Sequence, residues 1–154
     1  MIAVVLVGCG GFLLGVLWMD LMFDVQVRRG DTHHDGDERE RVESIARYYR
    51  RVTTDAAPMS RLIATVMIVQ LGGIAGEIVT HRVGGWSVVA ALVLGVAPIG
   101  LALVRIVPDA VRLGAQRDAP ATQLALARRI YRAHVLCFAA IAVFIALQIR
   151  LARG

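Results

Sequence analysis

The sequence predicts an all-α integral membrane protein: a four-helix bundle with a cytoplasmic amphipathic helix between its first and second membrane helices. Four apolar runs have about the length that a helix needs to cross a bilayer. The composition agrees, since 57% of the residues are hydrophobic and the mean hydropathy is +0.64, well above that of an ordinary soluble domain. A chain of 154 residues suits one domain, so we expect a single transmembrane domain over residues 1–154.

The first apolar run requires a decision between a membrane helix and a nucleotide-binding turn. Its sequence, VVLVGCGGFLLGVLWMDLMFD at residues 4–24, enters a glycine cluster as the first strand of a dinucleotide-binding fold does. The fingerprint of that fold requires a third glycine where this chain has Leu13. Residues 1–19 contain no charged residue, which predicts a membrane helix over residues 1–23.

The other three runs predict the remaining membrane helices over residues 60–80, 86–107 and 131–151. Trp18 and Trp86 lie near the ends of their runs, where an indole ring prefers the headgroup level of a bilayer. We therefore expect both tryptophans to anchor the protein at the membrane interface.

Small residues at helical spacing predict where helices pack closely. Gly11 and Gly15 are four positions apart on the first helix, and Gly72 and Gly76 have the same separation on the second. This spacing lets two helix backbones approach each other. We predict packing at these glycines, within the chain or between chains, and a homo- or hetero-oligomer in the membrane.

Between the first two membrane helices, residues 38–54 show the pattern of an amphipathic helix. Apolar side chains recur at spacings of three and four: Val42, Ile45, Tyr49 and Val52. Arginines fill other positions of the segment: Arg47, Arg50 and Arg51. We expect this helix to lie in the membrane interface, with its apolar face in the bilayer boundary and its arginines at the headgroups.

The arginines predict the orientation of the chain. All 17 basic residues are arginine. Eight lie in or beside the first loop between membrane helices: Arg28, Arg29, Arg39, Arg41, Arg47, Arg50, Arg51 and Arg61. Six lie in or beside the third loop: Arg105, Arg112, Arg117, Arg128, Arg129 and Arg132. Three remain for the other side: Arg82, Arg150 and Arg153. Because cytoplasmic loops carry the excess of basic residues, we expect the first and third loops in the cytoplasm and both termini outside it.

This orientation also accounts for the basic composition, with an isoelectric point of about 10.2. A soluble protein this basic would suggest nucleic-acid binding, but the sequence has no nucleic-acid-binding motif, and we expect no such partner. We expect the arginines, Arg105 and Arg132 among them, to meet anionic lipid headgroups on the cytoplasmic side. The absence of lysine and asparagine, whose codons are AT-rich, suggests a GC-rich genome, so a bacterial cytoplasmic membrane is the expected location.

Charged side chains near the cytoplasmic ends of the helices are the first candidates for chemistry, since such groups are costly at membrane depth. Asp20 and Asp24 are one turn apart on the first helix, and His134 begins the fourth. We predict either a belt of anchors and interhelical ion pairs or a catalytic, proton or substrate site at the mouth of the bundle. A metal site built from these three residues lacks close ligand spacing, and none is predicted.

Glu77 is the second candidate, with His81 four residues later and Gln70 seven residues earlier. A carboxylate and an imidazole on one helix face could pass a proton or line an ion path. Alternatively, the Glu77 side chain extends to the outer headgroups or pairs with Arg82. The sequence leaves these alternatives open.

Cofactor signals are weak, and we expect no cofactor. A haem would need two histidines facing each other at one depth, whereas His81 and His134 lie at opposite ends of the predicted bundle. Cys9 and Cys137 lie about half a bilayer apart in that bundle, which is too far for a disulfide.

In layout the chain resembles the anthrone-oxygenase-like family of small four-helix membrane proteins, most of which have no known function. The shared features are a glycine-rich first helix, a long basic first loop that contains a helix, a proline after the third helix and a basic, aromatic start of the fourth. In this chain the last two are Pro108 in VRIVPDAVRLG and the segment RRIYRAH at residues 128–134. The resemblance implies, for a few members, oxygenation of polyketide anthrones without an evident cofactor. It implies no catalytic set for this chain.

Three functions are consistent with the sequence. The function that we predict is a structural or accessory subunit of a membrane complex, which the small size and the glycine-rich helix faces favour. The second is a membrane-embedded, oxygenase-like enzyme acting on a lipophilic substrate, as the resemblance and the group of Asp20, Asp24 and His134 suggest. The third is a channel or transporter formed by an oligomer, in which Glu77 or Gln70 lines the path.

Overall fold

Helices account for nearly all of the chain in the computed structural model, which describes residues 1–29, 35–55, 57–80 and 84–153. Within these ranges there is no β-strand, and the principal helices are α1 (Ile2–Asp24), α2 (Asp35–Arg50), α3 (Ala57–Val79), α4 (Trp86–Ala115) and α5 (Pro120–Arg153). All except α2 are long and apolar enough to cross a membrane. The predicted helical class with four membrane-length helices is therefore confirmed.

Helices α4 and α5 extend beyond the apolar runs that predict them. The predicted ranges are 86–107 and 131–151, whereas α4 continues to Ala115 and α5 already begins at Pro120. The short connection between them turns at Gln116, whose φ of 51° is left-handed. An apolar run marks the part of a helix that lipid can surround, but a helix also continues where protein covers one of its faces.

The apolar face of α2 provides that cover. Four residues of this face are buried against the facing ends of α4 and α5: Val42, Ile45, Ala46 and Tyr49. At Gly114 of α4, a Cβ atom would come within 2.9 Å of the Arg50 backbone nitrogen. The helix predicted over residues 38–54 is thus present, as α2 and a following π turn at Arg51–Asp55. Its apolar face is buried against α4 and α5, so the expectation that this face lies in the bilayer boundary is wrong. The location of the helix in the membrane interface stays a prediction.

Helix α1 packs against both α3 and α5, and its buried face changes character along its length. In the first half, Leu6 lies in an apolar core with Phe144 of α5. Gly73 lets α3 approach here, because a Cβ atom at that position would lie 2.7 Å from the Leu6 side chain. In the last turns, the buried residues are Asp20 and Asp24. One face of α1 therefore leads from an apolar core to a pair of acids.

Two π turns interrupt α4, and each precedes a proline. The turn Leu92–Val96 ends two residues before Pro98, and the turn Ala102–Ile106 ends two residues before Pro108. Proline lacks the N–H that an α-helix uses, and its ring clashes with the carbonyl four residues earlier. A wider turn relieves this conflict, so α4 remains continuous through both prolines.

The glycines predicted to pack lie mostly outside the contacts of this chain. A Cβ atom at Gly11, Gly15 or Gly72 would meet no atom of a neighbouring element within 4 Å among the described residues, whereas one at Gly76 would lie 3.7 Å from Ile2. Close approach occurs instead at other glycines: Gly10, Gly73, Gly95 and Gly114. Packing at Gly11, Gly15 and Gly72 stays a prediction for contacts between chains.

Candidate functional site

Two groups of buried polar side chains lie inside the bundle, one toward each end. We call the end that holds α2 and the α4–α5 connection the arginine-rich end. The Asp–His cluster lies toward this end and consists of Asp20, Asp24, Tyr48, Tyr49 and His134. The Glu–Gln cluster lies toward the opposite end and consists of Gln70, Glu77 and Gln148. The structure thus brings Asp20, Asp24 and His134 into contact.

Asp24 is the centre of the Asp–His cluster. Its side chain is fully buried and accepts a hydrogen bond of 2.7 Å from the Tyr49 hydroxyl on Oδ1. Its Oδ2 lies 2.7 Å from Nδ1 of His134. With Asp24 as a carboxylate, which can only accept, Nδ1 is the donor of this bond. Nε2 is then the imidazole nitrogen left for chemistry.

Asp20 lies one helical turn before Asp24 and faces that second nitrogen. Its Oδ1 accepts a hydrogen bond of 2.6 Å from the Tyr48 hydroxyl. Its Oδ2 lies 3.8 Å from Nε2 of His134, a distance too long for a hydrogen bond. A carboxylate oxygen and an imidazole nitrogen therefore face a gap that a hydroxyl group could bridge.

The two tyrosines of α2 are the donors that hold the carboxylates. Burial raises the pKa of Tyr48, and the neighbouring Asp20 carboxylate raises it further. Burial also raises the pKa of Tyr49 well above its usual value, and Asp24 adds to the shift. Both phenols therefore keep their protons at physiological pH and remain hydrogen-bond donors.

A cavity of about 340 Å³ adjoins the Asp–His cluster. Asp20, Tyr49 and His134 form part of its wall, and nearly all of the remaining lining is apolar. The cavity reaches the surface between α3 and the second half of α4, where the lining residues Ala64 and Leu103 are exposed. Helix α3 contacts α4 chiefly at the first π turn of α4, so the two helices are apart along this opening. The volume suits a small organic molecule.

The groups of the Asp–His cluster bind one another rather than a common centre. Nδ1 of His134 is occupied by Asp24, and one oxygen of each aspartate is occupied by a tyrosine. Across the part of the chain that the structure describes, no three histidine, cysteine or acidic side chains are arranged to hold a metal ion. The chemistry that this arrangement offers is proton transfer and hydrogen bonding at Nε2 and Asp20.

In the Glu–Gln cluster, Glu77 is buried and does not extend to the surface. Its Oε2 accepts a hydrogen bond of 3.0 Å from Nε2 of Gln148. Gln70 is also buried and donates to a backbone carbonyl of α4 at 3.1 Å. Extension of Glu77 to the headgroups, one of the predicted alternatives, is therefore wrong, whereas the proton or ion path stays a prediction. His81 and Arg82 lie outside the described residues.

The residues predicted to anchor the protein at the membrane interface are exposed. Trp18 and Trp86 are 58% and 70% exposed, near the ends of α1 and α4. The arginines predicted for this role are exposed as well: Arg47, Arg50, Arg51, Arg105 and Arg132. These positions allow contact with lipid, which stays a prediction.

Three cluster residues are not predicted as site residues by the sequence: Tyr48, Tyr49 and Gln148. Tyr49 is predicted only as an apolar position of the amphipathic helix, although a buried tyrosine hydroxyl needs a partner. Gln148 is a lone amide within an apolar run, and such a group also needs a partner on another helix. These signals mark the residues without specifying their partners.

No protein-family model, curated protein or solved structure matches the chain. The resemblance to the anthrone-oxygenase-like family therefore stays a prediction. A function has to be inferred from the geometry of the two clusters and the cavity.

Proposed function

We propose that the protein is a membrane-embedded enzyme that acts on a lipophilic substrate by acid–base chemistry, with His134 as the group that exchanges the proton. The observation that carries this proposal is the position of the Asp–His cluster in the wall of an apolar cavity. An ion pair that only joins helices needs no access to a cavity, whereas Asp20 and His134 both line this one. A reactive polar group beside an apolar cavity is typical of small-molecule sites.

The surroundings of His134 supply what a general base requires. Asp24 orients the imidazole through Nδ1, and Tyr49 in turn holds Asp24. When Nε2 takes up a proton, the imidazolium is stabilised by carboxylate oxygens at 2.7 Å and 3.8 Å. Asp20 would accept a hydrogen bond from a substrate hydroxyl. A positioned base of this kind contributes on the order of 10²–10⁴-fold to a rate.

The opening between α3 and α4 suits a substrate that arrives from the bilayer. Most exposed residues of its lining are apolar, among them Ala64, Leu103 and Val107, and the polar one is the uncharged Ser60. A lipophilic molecule would enter here without passing a charged surface. The oxygenation of anthrones that the resemblance implies belongs to this class, because an anthrone is apolar and has an acidic C–H group whose proton a base can remove.

Anthrone itself is the probe for a first test. The full-length protein in phosphatidylcholine vesicles is incubated with anthrone under air, and formation of anthraquinone and uptake of oxygen are measured. We expect turnover above that of protein-free vesicles, and a decrease of about 100-fold or more in His134→Gln, since an amide cannot take up the proton. Asp109→Asn is the matched control, because it disrupts an ion pair of 2.6 Å with Arg129 outside the cavity. This variant should keep its activity.

A rate equal to that of protein-free vesicles would exclude anthrone as the substrate, and with it the oxygenation that the resemblance implies. An unchanged rate in His134→Gln would exclude the assigned role of the imidazole.

A second candidate is the accessory role in a membrane complex, which the open glycine face of α1 favours. Gly8, Gly11 and Gly15 are exposed, and among the described residues a Cβ atom at any of them would meet no neighbouring element within 4 Å. In a membrane, such a face suits close packing of another helix. The mass of the native particle, extracted in mild detergent, tests this role: a heteromeric particle would support it, and a lone monomer or homo-oligomer would exclude it.

We also propose that the arginine-rich end faces the cytoplasm of a bacterial cell, with both termini outside, because basic residues accumulate on the cytoplasmic side. Exposed Thr54 lies at this end, in the turn that follows α2. Thr54→Cys, in a chain without Cys9 and Cys137, should react with a membrane-impermeant maleimide only after the cells are opened. Reaction in intact cells would reverse the orientation.

A further inference from the structure

The Glu77 carboxyl group is buried with few partners. Its side chain comes from α3, is 4% exposed and, among the described residues, accepts one hydrogen bond, from Nε2 of Gln148 on α5. The Asp–His cluster lies toward the other end of the bundle and has no part in this arrangement. A carboxylate buried with one neutral donor is costly, and among the described residues no cation compensates the charge of Glu77.

Gln148 adds a second acceptor beside this carboxylate. Its Oε1 is fully buried and has no hydrogen-bond partner within the described residues. The oxygen and nitrogen of one amide are about 2.3 Å apart, and Nε2 lies 3.0 Å from Oε2 of Glu77. The unpartnered Oε1 therefore lies within about 5 Å of the carboxylate.

Within the described residues, the helices packed here provide no buried positive charge; His81 and Arg82, which follow α3 in the sequence, lie outside those residues. Residues 86–104 of α4 contain no titratable side chain, and α1 contributes Cys9 and the exposed amino end at Met1. On α5 the charged groups at this end are Arg150 and Arg153, both exposed. Two oxygen acceptors thus share a buried site that lacks a cation within the described part of the bundle.

We infer that the Glu77 carboxyl group and the Gln148 amide bind one small monovalent cation, a proton or Na⁺, inside the bundle. A proton on the free carboxyl oxygen would donate to Oε1 of Gln148 while Nε2 donates to Oε2, so both amide atoms would be bonded in a cyclic acid–amide pair. A sodium ion would use the same two oxygens, since hard cations take oxygen ligands. In either case the cation supplies the positive charge and satisfies the unpartnered acceptor.

Gln70 extends the row of acceptors along the same helix. It lies seven residues before Glu77, about two helical turns away. Its Oε1 is likewise buried and unpartnered among the described residues. The cation site of Glu77 and Gln148 is independent of the proposed enzyme activity, because neither its residues nor its test involves His134.

Dicyclohexylcarbodiimide tests the inference on the full-length protein in phosphatidylcholine vesicles. This apolar reagent takes the proton of a carboxylic acid onto one nitrogen while the carboxyl oxygen adds to its central carbon, and an acyl shift then gives a stable N-acylurea with no group lost. The label is located by peptide mass, which separates Glu77 from Asp20. We expect labelling of Glu77 that decreases as the pH rises, because the reagent reacts with the protonated carboxyl group.

The two cations are distinguished by adding salt at constant pH. If the site takes Na⁺, sodium chloride decreases the labelling severalfold while choline chloride at the same ionic strength does not, and Gln148→Leu loses this protection. If the site takes only a proton, neither salt changes the labelling. Glu77→Gln is the background control at this position.

Two outcomes would overturn the inference. One is the absence of label at Glu77 of the folded protein across the pH range, while Glu77 of the chain unfolded in detergent is labelled. The other is labelling that is independent of both pH and sodium chloride.

Discussion

The Asp–His cluster and the Glu–Gln cluster are both buried polar groups in an apolar bundle, but their atoms are bonded to different extents. In the first, both oxygens of Asp24 and one oxygen of Asp20 have partners at 2.6–2.7 Å. In the second, one oxygen of Gln70 and one of Gln148 have no partner among the described residues. The first cluster lies beside a cavity, and the lining of that cavity includes no residue of the second.

The difference follows from the side chains that meet each carboxylate. Helix α2 brings two tyrosine hydroxyls to the aspartates, and a hydroxyl can donate without requiring a further partner for its oxygen. The opposite end has amides instead, and every amide brings an acceptor together with its donors. The tyrosines therefore satisfy one oxygen of each aspartate and His134 satisfies the second oxygen of Asp24, whereas each glutamine leaves one oxygen without a partner among the described residues.

The largest difference in stability is expected between two single variants, in each of which one cluster has a carboxylate replaced by its amide. Asp24→Asn places an amide N–H against either the Tyr49 hydroxyl or the His134 N–H, and it replaces the carboxylate that accepts two buried hydrogen bonds by a neutral amide. We expect a loss of about 3 kcal/mol of stability. Glu77→Gln lets two amides pair reciprocally, so we expect no loss or a small gain.

The midpoints of thermal denaturation in mild detergent, followed by circular dichroism, measure this difference. Equal losses in Asp24→Asn and Glu77→Gln would show that the two clusters do not differ in the way described.

A smaller loss of stability is expected when a glycine at a close helix contact, one toward each end of the bundle, is replaced by alanine. Gly114→Ala would place a Cβ atom 2.9 Å from the Arg50 backbone nitrogen, and Gly95→Ala would place one 2.6 Å from the end of the Ile74 side chain and 2.8 Å from the Phe144 ring. Overpacking of this kind costs about 1–3 kcal/mol, and the cost should be larger at Gly114, because a backbone atom cannot rotate away.

Gly100→Ala is the matched control for both variants, because it lies on the same helix and its Cβ atom would meet no neighbouring element within 4 Å among the described residues. The same denaturation experiment should show a midpoint at or above that of the unchanged protein. A loss in this control as large as in Gly114→Ala would mean that close approach is not the cause.

The smallest effect is expected for an exposed ion pair that belongs to neither cluster. Arg112 donates two hydrogen bonds of 2.8 Å to Asp118, and these bonds lower the pKa of the Asp118 carboxyl. A lowered pKa in the folded state stabilises the fold above the unfolded value of about 3.9, and this contribution is lost as the pH falls through the folded value. Asp118→Asn should therefore change the denaturation midpoint slightly at neutral pH and flatten its decrease below about pH 4. An effect as large as that of Asp24→Asn would contradict the distinction between buried and exposed pairs.

The membrane helices could be predicted from the sequence because their length and lack of charge are properties of the chain alone. The ends of these helices could not be predicted, because α4 and α5 continue beyond their apolar runs, in the segments that α2 covers. The apolar face of α2 was visible as a pattern, but a pattern does not distinguish lipid from protein as the surface that covers it.

The common depth of Asp20, Asp24 and His134 could also be predicted, because it follows from counting residues along antiparallel helices. The hydrogen-bond partners of these residues could not be predicted, because the partners depend on the rotation of each helix about its axis. In a membrane helix such as α1, both the lipid-facing and the buried positions are apolar, so the sequence carries little periodicity that would fix this rotation. The contact between Glu77 and Gln148 could not be predicted from the sequence for the same reason.

Because the cavity opens between α3 and α4, its occupancy by a lipophilic molecule would depend on the concentration of that molecule in the bilayer. A molecule that enters from the bilayer is present at a mole fraction among lipids, and its molarity in the surrounding water matters only through partitioning. Each buried methylene group contributes about 0.8 kcal/mol to that partitioning, so every added methylene raises the amount in the membrane by roughly fourfold. Under the proposed function, a site of modest intrinsic affinity can then be filled by a scarce molecule, and adding empty lipid at a constant amount of that molecule would empty the site by surface dilution.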